Sequence, residues 1–162
     1  MSKPGNTALR RRAMDWLARR EHSRLELARK LAQRFPEAAP ELIDGVIAAL
    51  AEENLQSDQR FAENYLSRRK NQGFGWLHIR ANLQARGVGE ALIAAIAPPE
   101  DEWLEVAQSA LGKKLGKKLR GLEAEAGIAP GGPVHQRLSR FLASRGFPPE
   151  IARQALRLHL KK

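Results

Sequence analysis

The chain has 162 residues, enough for one ordinary domain or a short array of small modules. Hydrophobic residues make up 43% of it and aromatics 6%, which allows a packed core and argues against wholesale disorder. Lys and Arg number 28 against 18 Asp and Glu, a net charge of +10 that favours polyanions or acidic protein surfaces as partners, and with no cysteine there is no disulfide, thiolate nucleophile or zinc finger.

Ala, Leu, Arg, Glu and Gln dominate, all strong helix formers, and no window alternates apolar and polar residues for long. The fold class expected is all-α. No apolar run approaches a membrane span, and no apolar signal-peptide core follows the basic residues near the N-terminus, so a cytoplasmic protein is expected.

In chain order, three segments repeat one plan. The first is expected over residues 8–55. Its opening helix includes DWLARR, Asp15 to Arg20, anchored by Trp16 and Leu17. Ser23 and Glu26 form a capping box before a helix with Leu27, Leu31 and Phe35 four apart. Pro36 breaks it, and PELIDGVIAAL follows with Pro40 near its first helical position.

The second module is expected over 57–99. Ser57 or Asp58 can cap a helix beginning near Gln59, and NYLSRR, Asn64 to Arg69, repeats DWLARR with Tyr65 and Leu66 as anchors. Ile79 and Leu83 lead to Gly87-Val88, then to a stripe of Leu92, Ile93 and Ile96 that Pro98-Pro99 ends. Trp76 falls on the apolar stripe with Ile79 and Leu83, which points to the core more than to base stacking, although Phe74 and Trp76 lie among basic residues.

The third module is expected over 100–162. Glu100, Asp101 and Glu102 open a longer helix, favourably placed at its N-terminus, and residues 121–133 read as an internal linker. Leu138 and Leu142 then lead to Gly146-Phe147 and to a last helix with Pro149 near its start. Gly87 and Gly146 sit where a helix stops in a left-handed conformation that glycine adopts without a Cβ clash. Three tandem three-helix modules, similar in outline to helix-turn-helix units, are expected to form an elongated, curved array.

The charge is segmental. Residues 1–30 hold nine basic and three acidic residues, and 31–60 hold two basic and six acidic. Basic character returns with Arg68, Arg69, Lys70, Arg80 and Arg86, the first candidates for binding a repetitive polyanion. Lys113, Lys114, Lys117, Lys118, Arg140 and Arg145 are the second set. The competing reading is a solvated face.

Residues for chemistry are missing. His22, His78, His135 and His159 are dispersed, expected at surfaces or helix ends, with no metal-ligand spacing. The run from Gly112 to Lys118 has its glycines one residue too close for a phosphate-binding loop, Lys118 in place of the hydroxyl, and no preceding strand. No catalytic residues, cofactor or metal are expected.

The stretch SDQRFAENYLSRRKNQGFGWLHIRANLQARGV is similar to the central signature of the RecX family, bacterial regulators of the RecA recombinase. The resemblance rests on Asp58, Arg60, Phe61, Ala62, Tyr65, Arg68, Gly73, Gly75, Ile79, Arg80, Leu83, Gly87 and Val88. It extends to Leu17, Ser23, Glu26, Leu27, Lys30 and Leu31 in the first module, and to Trp103, Ala107, Arg140, Phe141, Leu142, Arg145, Gly146 and Phe147 in the third. Membership implies a non-catalytic protein that lodges in the groove of the RecA–DNA filament and restrains its extension, strand exchange, ATPase and co-protease activities. It also implies direct DNA binding, and a monomer is expected. Two features depart from the family: Ser57 replaces one of two acidic residues, leaving Asp58 as the expected cap, and the linker is longer than usual.

The rival reading is a stand-alone DNA-binding protein using helix-turn-helix-like modules. GEALIAAIAP has no charge beyond Glu90, which argues against major-groove reading by that helix.

Overall fold

The computed structural model describes residues 5–118 and 130–160, without the side chains of 116–118 and 160. Among the described residues there are nine helices and no strand. They are α1 (Asn6–Arg19), α2 (Arg24–Arg34), α3 (Pro40–Glu52), α4 (Asp58–Asn71), α5 (Trp76–Ala85), α6 (Glu90–Ile96), α7 (Glu100–Lys118), α8 (Pro133–Ser144) and α9 (Pro149–Leu160). Most of the expected linker, residues 121–129, lies outside the described residues, and Pro133 is the first residue of α8.

Local signals set the helix ends. Ser23 accepts from the Glu26 N–H at 3.1 Å while the Glu26 carboxylate accepts from the Ser23 N–H, completing the capping box. Helices α5 and α8 both stop at a left-handed glycine, with φ of 81° at Gly87 and 92° at Gly146. Val88 N–H then reaches back to the Leu83 carbonyl at 3.0 Å, and Phe147 N–H to Leu142 at 3.1 Å, satisfying carbonyls the helix leaves open.

Packing groups the chain into two compact units, residues 1–64 with 83–96, and residues 65–82 with 97–162. In the first, Leu9 and Ala13 of α1, Leu27 and Leu31 of α2, and Ile43, Val46, Ile47 and Leu50 of α3 make one buried cluster. The spacings of three and four residues put each set on one helix face. In the second unit α7 packs on α8 and α9. Their buried faces carry Trp103, Ala107 and Leu111, then Leu138 and Leu142, then Ile151, Ala155 and Leu156. Phe147, 2% exposed, alone stabilises this core by about 1.5–3 kcal/mol.

Within each unit the same joint recurs. In the first, the buried Ser23 hydroxyl, at the start of α2, donates to the Arg86 carbonyl at 2.7 Å, one residue before the stop of α5. A Cβ on Gly87 would lie 2.8 Å from the Leu25 Cβ. In the second, Gly75 N–H, at the start of α5, donates to the Arg145 carbonyl at 2.7 Å, and Leu77 N–H to Gly146 at 3.0 Å. A Cβ on Gly75 would lie 2.5 Å from the Gly146 oxygen, and one on Gly146 would lie 2.4 Å from the His78 backbone nitrogen. Ser23 and Gly75 hold matching places, four residues before Leu27 and Ile79, so one acceptor is met by a hydroxyl in one joint and by a backbone N–H in the other.

Gly146→Ala combines left-handed strain with overlap on the His78 backbone, and should destabilise the protein by about 3 kcal/mol or more. Gly45→Ala, inside α3 with nothing near its Cβ position, should stabilise by about 0.5–1 kcal/mol. Urea denaturation of the two variants checks the contrast, and equal shifts would refute the joint as a close-packed backbone contact.

Candidate polyanion-binding site

Helix α4 ends in Arg68, Arg69 and Lys70, where cations suit the helix dipole. Their environments differ. Arg68 is exposed, its guanidinium 5.6 Å from the Tyr65 ring centroid. Arg69 lies 5.2 Å from both the Tyr65 and Phe74 centroids, donates to the Tyr65 hydroxyl at 3.2 Å and to Gln72 Oε1 at 3.1 Å. Lys70 is tied to Glu102 at 2.8 Å, so much of its charge is answered within the protein.

Helix α7 and the end of α8 bring further cations to this neighbourhood of the second unit. Arg145 lies 4.6 Å from the Phe74 centroid and 5.3 Å from that of Phe141, and Lys114 sits 4.9 Å over Phe141. Lys113 is exposed and donates to the Asn71 carbonyl at 3.4 Å, where α4 ends. Gln72, Lys113, Lys114, Phe141 and Arg145 line a recess of about 220 Å³. Two sets of cations that are far apart in sequence, Arg69 with Lys113, Lys114 and Arg145, thus meet around two phenylalanine rings.

The other candidates fall elsewhere. Arg80 and Arg140 are exposed on α5 and α8, and Arg86 belongs to the first unit, where its carbonyl serves the joint. The side chains of Lys117 and Lys118 lie outside the described residues. Phe74 does not offer a free face for a base, because His78 stacks on it at 4.3 Å and two guanidinium groups crowd it. Trp76 is half-buried, its ring 5.8 Å from that of Trp103. Among the described residues no group of His, Asp and Glu could hold a metal ion.

Models of the RecX family match this chain twice: the first three-helix domain at residues 10–50 and the second at 57–95. Together they span 80 of its 162 residues, about half of its length. The chain belongs to the RecX family. The regulatory protein RecX of Pseudomonas putida (strain GB-1) is 40% identical over 146 residues, 89% of this chain and 86% of that protein. That of Ectopseudomonas mendocina (strain ymp) is 37% identical over 151 residues, 93% of each. The crystal structure of RecX from Lactobacillus salivarius shares the fold, with a TM-score of 0.75 at 19% identity over 94% of both chains.

Most of the residues that carry the RecX resemblance do structural work. Asp58 accepts the Arg24 N–H at 2.9 Å, so it caps α2 rather than its own helix, and it holds the buried Gln56 at 3.0 Å. Ser57, not Asp58, caps α4, accepting the Arg60 N–H at 3.2 Å. The expectation of Asp58 as the cap is therefore corrected: the hydroxyl takes the local role and frees the carboxylate for the longer reach. Arg60 clasps Glu21 at 3.0 Å and, at 3.0 and 2.9 Å, the side chain and carbonyl of Asn54, whose φ of 61° ends α3.

His22 also departs from expectation, being 2% exposed rather than on the surface. Lys30 Nζ is 3.2 Å from His22 Nε2 and can only donate, so Nε2 is the unprotonated acceptor and Nδ1 donates to the Arg20 carbonyl at 3.0 Å. Burial, then the charges of Arg20 and Lys30, hold the imidazole below the ordinary histidine range. Burial, with the Arg20 charge, also lowers the Lys30 ammonium. Burial raises the Glu26 carboxyl, but hydrogen bonds from Arg20 and Ser23 outweigh it, and its net shift is downward.

Because the folded state resists protonating His22, the unfolded chain binds more protons once the pH falls below about 6.5. The stability present above that pH is lost progressively on acidification. Urea denaturation at neutral and mildly acidic pH should show this loss in the native chain and less of it in His22→Gln, before Glu26 begins to protonate. Identical pH profiles for the two proteins would refute the buried neutral histidine.

Proposed function

We propose that this chain is a non-catalytic modulator of RecA that binds the groove of the RecA–DNA filament and restrains its extension, strand exchange, ATPase and co-protease activity. The observation that carries the reading is family membership, with 40% identity to a regulatory protein RecX across most of both chains. The partners are RecA, its nucleoprotein filament and DNA bound without sequence preference, and the protein acts as a cytoplasmic monomer. Residues 8–55, 57–99 and 100–162 are its three modules.

The physical logic is multivalency. A filament repeats the same surface at each protomer, so a protein built of repeated modules can engage successive sites, each weak, with the gain of an intramolecular second contact. Arg68, Arg69, Arg80, Arg86 and Lys70, with Lys113, Lys114, Lys117, Lys118, Arg140 and Arg145, are the proposed contacts. Arg68, Arg80 and Arg140 are exposed, as such contacts require. Stand-alone DNA reading by a recognition helix fits less well, because α6 has seven residues and one charge, Glu90.

Stoichiometric protein added to RecA on single-stranded DNA should lower ATP turnover and strand exchange together. A reconstruction of the filament by electron microscopy should place density along its groove. Unchanged turnover and exchange at stoichiometric protein would leave the reading without support.

A further inference from the structure

Lys113, Lys114 and Arg145 line the recess in the second unit, Arg69 stands beside it on Gln72 and on the Phe74 ring it shares with Arg145, and none of the four has a carboxylate within ion-pair distance among the described residues. Concentrating like charges is unfavourable unless an anion answers them. The same unit neutralises Lys70 with Glu102, so acidic partners are available to this fold where structure alone requires them.

The rings give the cluster order. Phe74 is pinned by His78 stacked at 4.3 Å, and holds Arg145 at 4.6 Å. Phe141 holds the same guanidinium at 5.3 Å and Lys114 at 4.9 Å. Ring faces attract cations without using their N–H donors. A guanidinium held in this way keeps its planar fork for an oxyanion and loses less entropy on binding one. Neither ring offers an open apolar face of the kind that centres a protein interface.

We propose that this recess is a phosphodiester-binding site, with Arg145 forking one phosphate and Arg69, Lys113 and Lys114 answering that phosphate and its neighbours. Phe74 and Phe141 are positioning residues that act through Arg145 and Lys114. A single carboxylate would neutralise only one of four charges, whereas a nucleic-acid backbone supplies a charge at every nucleotide. The proposal rests on the DNA-binding part of the reading above, and it needs no RecA.

The test is fluorescence anisotropy of the full chain with labelled single-stranded and duplex oligonucleotides, without RecA, from about 50 to about 200 mM salt. Arg145→Gln should weaken binding roughly fivefold to tenfold and reduce the log–log salt slope by about 0.7–0.9. Arg145→Lys should keep the slope and still lose affinity, since a point charge replaces the fork. Phe141→Leu should lose affinity at unchanged slope, and Phe141→Tyr, which restores a ring, should recover it. Loss on both DNA forms, or on one, supports the site and identifies the form it takes.

Circular dichroism confirms that each variant folds. Should Arg145→Gln fail to fold, the double variant Lys113→Gln with Lys114→Gln gives the decision, with a larger expected drop in slope. Native affinity and slope in that double variant and in folded Arg145→Gln would overturn the proposal. So would Arg145→Gln that weakens RecA binding while leaving DNA binding intact, an outcome pointing to an acidic protein surface. A chain that binds DNA through this recess but leaves RecA unchanged would instead refute only the filament reading.

Discussion

The carbonyl of the residue before each helix-stopping glycine, Arg86 in one unit and Arg145 in the other, ties that helix end to a helix start distant in the chain. Each carbonyl accepts from a donor at the start of a helix distant in the chain, the Ser23 hydroxyl before α2 in the first case and the Gly75 N–H before α5 in the second. In both joints a glycine backbone approaches the facing segment more closely than a Cβ would permit, against the Leu25 side chain in the first and backbone to backbone in the second. Gly87, Gly146 and Gly75 make that approach possible, and the left-handed φ at the first two also ends the helix. One constraint thus stops a helix and sets how its end packs within the unit.

Around the first joint the polar groups form a closed set. Asp58 supplies the α2 cap, Gln56 donates to the His22 carbonyl at 3.2 Å, Arg60 binds Glu21, and His22 is held between Arg20 and Lys30. Among the described residues no buried side-chain polar atom lacks a partner. Such networks define one arrangement, because any slip leaves a buried donor or acceptor unmet. The cations facing outward then depend on the joint for their placement, and Arg145 serves both purposes: its carbonyl closes the second joint while its guanidinium enters the recess.

The sequence by itself determined what depends on local spacing. Helix class, the Ser23–Glu26 box, the glycine stops and the apolar stripes follow from propensity, capping and periodicity, which are properties of neighbouring residues. The RecX resemblance was readable for the same reason, in an ordered run of residues. What only the tertiary structure decided are contacts between distant positions. Arg69 is 76 residues before Arg145 in the chain, and no local pattern signals that Phe74 joins their guanidinium groups. Asp58 reaching across to Arg24, and His22 lying buried under Lys30, were equally hidden, because short polar residues at helix starts look alike until a second module packs against them. Charge in the sequence marked where cations are plentiful; packing decided which of them are answered within the fold and which are held ready for a partner.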